Sequence, residues 1–188
     1  MSYFSEQQYL TRKKILKLVG GAFHIFDNNE KVVGYAKMKG FKLKEDIVMF
    51  TDESMSNKIL SIKARNIIDI AATYDIYDKN NAKLGAFKRQ GLKSFLRDEW
   101  LIFDENDIEI GKITEDSILL SLFRRLISNL LPQNYDCTIN GANKCEYRQN
   151  FNPLVTKVTT AFNKDNTHYN DLLIAGSVLL CAIEGKQN

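Results

Sequence analysis

The most one-sided chemistry in this chain is a run of cations. Residues 79–97 carry Lys79, Lys83, Lys88, Arg89, Lys93 and Arg97 with no acidic residue among them, while the whole chain of 188 residues has a net charge of only +3. Such a run is a candidate for holding phosphates, those of a lipid headgroup or of a nucleic acid. Lys83, Lys88, Arg89, Lys93 and Arg97 are the candidate contacts. A solvated sheet face would carry the same charges. Phe87 and Phe95 interleave with them; exposed, they would stack on bases, and within strands they are core. Strand alternation alone puts Lys83 and Arg89 on one face and Lys88 on the other, unless a bulge intervenes.

Other reactive groups are few. His24 and His168 are the only histidines. No Gly-x-Ser-x-Gly, His-Glu-x-x-His or phosphate-binding glycine loop occurs, and Gly111-Lys112-Ile113-Thr114 lacks the rest of a P-loop. The cysteine and histidine spacings fit no zinc site. Cys137 would need a histidine brought to it by the fold to act as a nucleophile. Asp104, Asn106 and Glu115 stand at calcium-loop spacing, but Glu109 occupies the position where the loop's bend needs glycine. Carboxylates closing tight turns explain these residues better. The expectation is a protein without catalytic residues, metal or cofactor.

The elements that would position the cations follow from a repeat. Phe23-His24-Ile25-Phe26-Asp27, Tyr74-Asp75-Ile76-Tyr77-Asp78 and Trp100-Leu101-Ile102-Phe103-Asp104 each lead into a polar turn. Each then reaches an aliphatic residue and a glycine, Gly34, Gly85 and Gly111, seven residues past the aspartate. Val48-Met49-Phe50-Thr51-Asp52 is a degenerate copy. A fixed period with alternating flanks is a repeated supersecondary unit. Aromatic and β-branched runs closed by Asp-x-Asn are strand, turn, strand. The chain is therefore a string of hairpins, with another at Asn140-Gly141 and a last strand ending near Phe162.

Two helices complete the pattern. Leu119, Leu122, Phe123, Leu126, Ile127 and Leu130 recur at helical spacing, which predicts an amphipathic helix over about 117–131. Residues 172–183 contain no charge, and Ser177 is their only hydroxyl. Asn170 or Asp171 is expected to cap this second helix and Gly185 to end it. A helix apolar on all sides has no solvent face, and this one is too short for a bilayer that needs about 20 residues. It must be enclosed by protein. The start of the chain has no basic or apolar run of a secretory signal. With three cysteines, an odd count, and Cys137 and Cys145 able to face each other across a hairpin, the expected setting is a reduced cytoplasm.

Hairpins at regular spacing, a helix, further strands and a terminal apolar helix imply a mainly β protein: a closed barrel with that helix threaded through it. The arrangement resembles the tubby-like superfamily, which includes the tubby carboxy-terminal domain, the LURP-one-related proteins and the phospholipid scramblases. The carrying residues are the aromatic-x-Ile-aromatic-Asp units with Gly34, Gly85 and Gly111, the stretch from Lys83 to Arg89, and Asn170-Asp171-Leu172-Leu173-Ile174-Ala175. The resemblance implies a twelve-stranded antiparallel barrel around a central helix, as a single domain over residues 1–188. It also implies a non-catalytic binding or tethering module for anionic, phosphoinositide-type headgroups, peripheral at the inner membrane surface. Scramblases carry an acidic calcium segment before the last helix. Here Lys164 stands between Asn163 and Asp165, and no metal is expected. The alternatives are a nucleic-acid-binding β-barrel and a protein-interaction scaffold.

Overall fold

The computed structural model describes residues 2–14, 21–38, 46–65, 72–90, 99–115, 133–150, 155–163 and 168–183. The expected helix over 117–131, the candidate contacts Lys93 and Arg97, and Gly185 lie outside the described residues.

Twelve strands form a closed antiparallel barrel. They are β1 (Gln8–Lys13), β2 (Ala22–Phe26), β3 (Val32–Met38), β4 (Ile47–Phe50), β5 (Lys58–Ala64) and β6 (Thr73–Asp78), then β7 (Lys83–Arg89), β8 (Glu99–Phe103), β9 (Glu109–Glu115), β10 (Asn134–Ile139), β11 (Ala142–Gln149) and β12 (Lys157–Phe162). Each strand pairs with the next, and β1 closes the ring on β12, with Tyr9 opposite Thr160. Closure leaves no edge for another chain to extend. One helix, α1 (Asn170–Ile183), follows β12, and 13 of its 14 residues are buried.

The repeat explains the hairpins in detail. Oδ1 of Asp27, Asp78 and Asp104 accepts hydrogen bonds from the backbone N–H groups two and four residues on, all at 2.8–2.9 Å. The residue three past each aspartate is left-handed: Glu30, Asn81 and Asp107, at φ 59, 64 and 63°. Each carboxylate is thus spent on its own turn. Two residues before the aspartate, the isoleucine pairs with the repeat's glycine: Ile25 with Gly34, Ile76 with Gly85, Ile102 with Gly111. The register slips immediately after each pair, so one aliphatic residue bulges out of the ladder. These are Val33, Leu84 and Ile110, and each packs against the core. The degenerate copy slips one residue earlier relative to its aspartate, between Met49 and Phe50, and buries Ile59. Bulges concentrate at barrel rims because they bend the strand there. Here they also deliver a side chain to the core.

Alternation then sorts the wall. Phe23, Ile25, Ile62, Ile76, Phe87, Ile102, Cys137 and Tyr147 join α1 in one core. At Gly176 of α1, a Cβ would come within 2.9 Å of the Tyr147 hydroxyl and 3.1 Å of Phe87 Cζ, so the helix packs directly on the wall. Two polar contacts join α1 to the wall. Ser177 Oγ lies 2.7 Å from Thr11 Oγ1 on β1, and the Tyr147 hydroxyl donates to the Leu173 carbonyl at 2.9 Å. The expected caps behave differently. The Asp171 carboxylate accepts the backbone N–H groups of Tyr3 (2.9 Å) and Phe4 (3.1 Å), and Asn170 Nδ2 donates to the Phe4 carbonyl. Phe4 is fully buried. The two residues therefore tie the start of the chain to the start of the helix.

Two stability predictions follow. A Cβ at Gly111 would fall on the Thr138 carbonyl and within 2.8 Å of Ile139 Cα. That backbone cannot yield, so Gly111→Ala is expected to cost about 2–4 kcal/mol in urea unfolding. Ser177→Ala leaves the Thr11 hydroxyl buried without its partner, a loss of roughly 1–2 kcal/mol. Adding Thr11→Val is expected to cost less than the sum of the two single changes, as a double-mutant cycle will measure.

Candidate anion-binding surface

The β6–β7 bulge at Leu84 decides where the expected cations go. With Tyr77 opposite Lys83 and Ile76 opposite Gly85, Lys83 turns to the outer face. Phe87 faces α1 at Gly176, which sends Lys88 outward, where it is exposed, and Arg89 inward, with Nε buried. The simple alternation of the unbulged strand is therefore corrected: Lys83 and Lys88 share the outer face, and Arg89 is on the other side of the wall.

Lys83 is already neutralised. Its Nζ is 2.7 Å from Asp107 Oδ1 and 3.5 Å from Asp75 Oδ1. Arg65 joins both carboxylates, through Nη2 to each and through Nε to Asp75 Oδ2 at 2.9 Å. Two cations face two carboxylates. Bonds to Asp75 and Asp107 raise the Arg65 pKa, and bonds from Arg65 and Lys83 lower that of Asp107. The cluster ties the β8–β9 turn onto the outer face of β6 and β7. Among the described residues Lys88 has no acidic partner, and on the next strand it faces Leu101, which in turn faces Lys112. Lys112 itself lies 3.4 Å from Glu99.

A second cluster draws on strands far apart in sequence. Arg12 of β1 stands opposite His24 of β2 on the outer face. Glu53, in the β4–β5 turn, folds back over His24 and the nearby Lys14. Its Oε1 is 2.7 Å from His24 Nε2, and both its oxygens are 3.0 Å from Lys14 Nζ. Bonds from Lys14 and His24 lower the Glu53 pKa. The Arg12 guanidinium lies 4.6 Å from the centre of the Phe26 ring. Two of its cations belong to a short basic run, Arg12-Lys13-Lys14, but that run does not announce that His24 and Glu53 meet it, because they come from separate elements.

The catalytic inventory stays thin. Cys137 and Cys145 face each other in register, both reduced and buried. A hydrogen bond with Cys145, then burial, raises the Cys137 pKa well above its ordinary value, and burial pushes Cys181 up to about 12. A thiolate nucleophile is disfavoured at both. His24 faces outward and Cys137 inward, on opposite sides of the wall. No group of three or more potential metal-ligating residues occurs among the described residues. No described helix is long and apolar enough to cross a membrane.

The LURP-one-related family matches residues 32–168, well over half of the chain. The chain belongs to the LURP-one-related family. That family lies within the tubby-like superfamily, and the closed twelve-stranded barrel around α1 is the fold the resemblance implied. The match begins at β3 and stops two residues before α1. The strands and helix that close and fill this LURP-one-related barrel thus flank the matched segment. Membership fits a non-catalytic, lipid-binding domain of the tubby-like kind, in a family that is generally non-enzymatic. No curated protein matches the chain.

The ion pairs make acid stability a test of the geometry. Asp107 has a folded pKa below its unfolded value. Its contribution is present above about pH 4 and is lost as pH falls through the depressed value. Asp107→Asn is expected to lower the melting midpoint at neutral pH and to flatten its decline below about pH 4. Melting curves of both proteins across that range check this.

Proposed function

We propose that residues 1–188 form one non-catalytic tubby-like domain that tethers to anionic, phosphoinositide-type headgroups at a membrane surface. Lys88 is the leading contact among the candidates named from sequence. The observation that carries the reading is its position: outward, exposed, and free of any acidic partner among the described residues, whereas Lys83 on the same strand is held by Asp75 and Asp107. Lys112 extends the same face across Leu101. Family membership supports a lipid ligand. Arg89, turned inward, supports the wall and is not a first contact; Lys93 and Arg97 remain candidates from sequence. On this reading the barrel is a rigid platform, and no bond is made or broken on it. A cytoplasmic setting, peripheral at the inner membrane surface, accords with that role.

Co-sedimentation with phosphatidylcholine vesicles, with and without phosphatidylinositol bisphosphate, tests the proposal. Binding is expected only to the phosphoinositide vesicles, weakened several-fold by Lys88→Glu and declining with salt. Lys83→Gln is expected to lower thermal stability more than binding, because it unbalances an ion-pair cluster. Equal sedimentation with both vesicle types would remove the lipid reading. Binding to single-stranded RNA with a steep salt slope would favour a nucleic-acid barrel instead.

A further inference from the structure

The two charge clusters on the outer face differ in one respect. The first, Arg65 and Lys83 with Asp75 and Asp107, is balanced. The second is not. Lys14 and His24 share a single carboxylate, Glu53, and Arg12 stands beside His24 with none of its own among the described residues. With His24 neutral the excess is one positive charge, and with His24 protonated it is two. Arg12 has no acidic partner among the described residues, its guanidinium lying on Phe26.

The groups around the carboxylate form a built setting. His24 is 9% exposed, and its ring packs 5.4 Å from Tyr35 and 5.9 Å from Phe26. Lys14 Nζ, just past the end of β1, and His24 Nε2 of β2 converge on Glu53. Glu53 itself belongs to a turn, and its side chain is 53% exposed. A carboxylate brings one negative charge to this place. A phosphate monoester brings up to two, with three terminal oxygens, and forms stronger charge-assisted bonds with the same donors.

The geometry points to a phosphate-monoester site at Arg12, Lys14 and His24, held in the free protein by Glu53 as a displaceable internal anion. The site deepens the anionic-headgroup reading above and stands apart from Lys88. Its ligand is a phosphate monoester, carried by a lipid headgroup or free in solution. Binding requires the β4–β5 turn to release His24 and Lys14, so Glu53 sets the affinity by competition.

The test titrates the full chain with soluble inositol trisphosphate while following the imidazole resonances. The chain has two histidines, His24 and His168, so one ring reports on the site and the other serves as control. The His24 signals are expected to move saturably while those of His168 stay in place. Glu53→Gln is expected to tighten binding roughly tenfold, about the worth of one charged hydrogen bond. Arg12→Ala/Lys14→Ala is expected to abolish the response, whereas Lys31→Ala/Lys63→Ala, which removes the same charge elsewhere, preserves it. An unmoved His24 in both wild type and Glu53→Gln overturns the proposal. So does an equal loss in the two double variants.

Vesicles with and without phosphatidylinositol bisphosphate separate the sources. Sedimentation lost in Arg12→Ala/Lys14→Ala assigns the site to a lipid headgroup. A saturable response to the soluble probe without vesicle binding assigns it to a free phosphate ester. Vesicle binding that depends on Lys88, with His24 unmoved, removes this site and leaves the earlier reading intact. A moved His24 without vesicle binding does the reverse.

Discussion

A helix with no polar side has to be wrapped, and that requirement governs this molecule. α1 offers apolar surface in every direction, so the sheet must surround it, and a sheet that surrounds must close. Closure in turn needs strands that bend at the rim, which the bulges at Val33, Ile59, Leu84 and Ile110 supply. It also needs small residues where neighbouring backbone presses closest, as at Gly111. The aliphatic-glycine pair of each repeat meets both needs: the first residue fills the end of the core and the second makes room for the adjacent strand. The helix's only hydroxyl among residues 172–183 finds Thr11, so enclosure leaves it no unpaired donor.

The outer face obeys a different rule. Inside, shape decides; outside, charge from one turn is set against charge on a strand one to three places away. The β4–β5 turn lays Glu53 on His24, and the β8–β9 turn lays Asp107 on Lys83 and Arg65. His24 and Asp75 hold the same place in their repeats, between the aromatic residue and the isoleucine. One position thus carries an imidazole in one copy and a carboxylate in another, and the overlying turn adapts. The first arrangement keeps surplus positive charge and the second cancels it. That difference distinguishes a surface with capacity for an anion from one whose charges are engaged with each other.

Much of this was legible in the residues. The spacing of Asp27, Asp52, Asp78 and Asp104 announces hairpins, and the charge-free stretch from Leu172 to Ile183 announces an enclosed core. Both signals are local and periodic, so a linear reading finds them. The orientation of Lys83 was not legible. It turns on one bulged residue, Leu84, and a slip of one residue exchanges the faces of a strand. The ion partners were hidden for another reason: Arg65 and Asp107 are 42 positions apart, and Lys14 and Glu53 are 39. Asp171 departs from its expected role on a third ground. Its position suits a helix cap, but the amino-terminal backbone arrives there and takes the carboxylate.

The order of elements has a consequence for synthesis. The twelve strands precede the helix that fills them, so a chain made from its amino terminus presents all of its inner wall before the filling exists. The closing pair, Tyr9 with Thr160, likewise waits for residues made about 150 positions later, and such distant pairings are slow to form. Until then Ile25, Ile62, Ile76 and Ile102 face no partner. A nascent barrel of this kind keeps its strands uncovered for most of its translation, the condition under which apolar β segments associate with one another. The order that yields an edgeless mature protein thus lengthens the interval in which its edges are open.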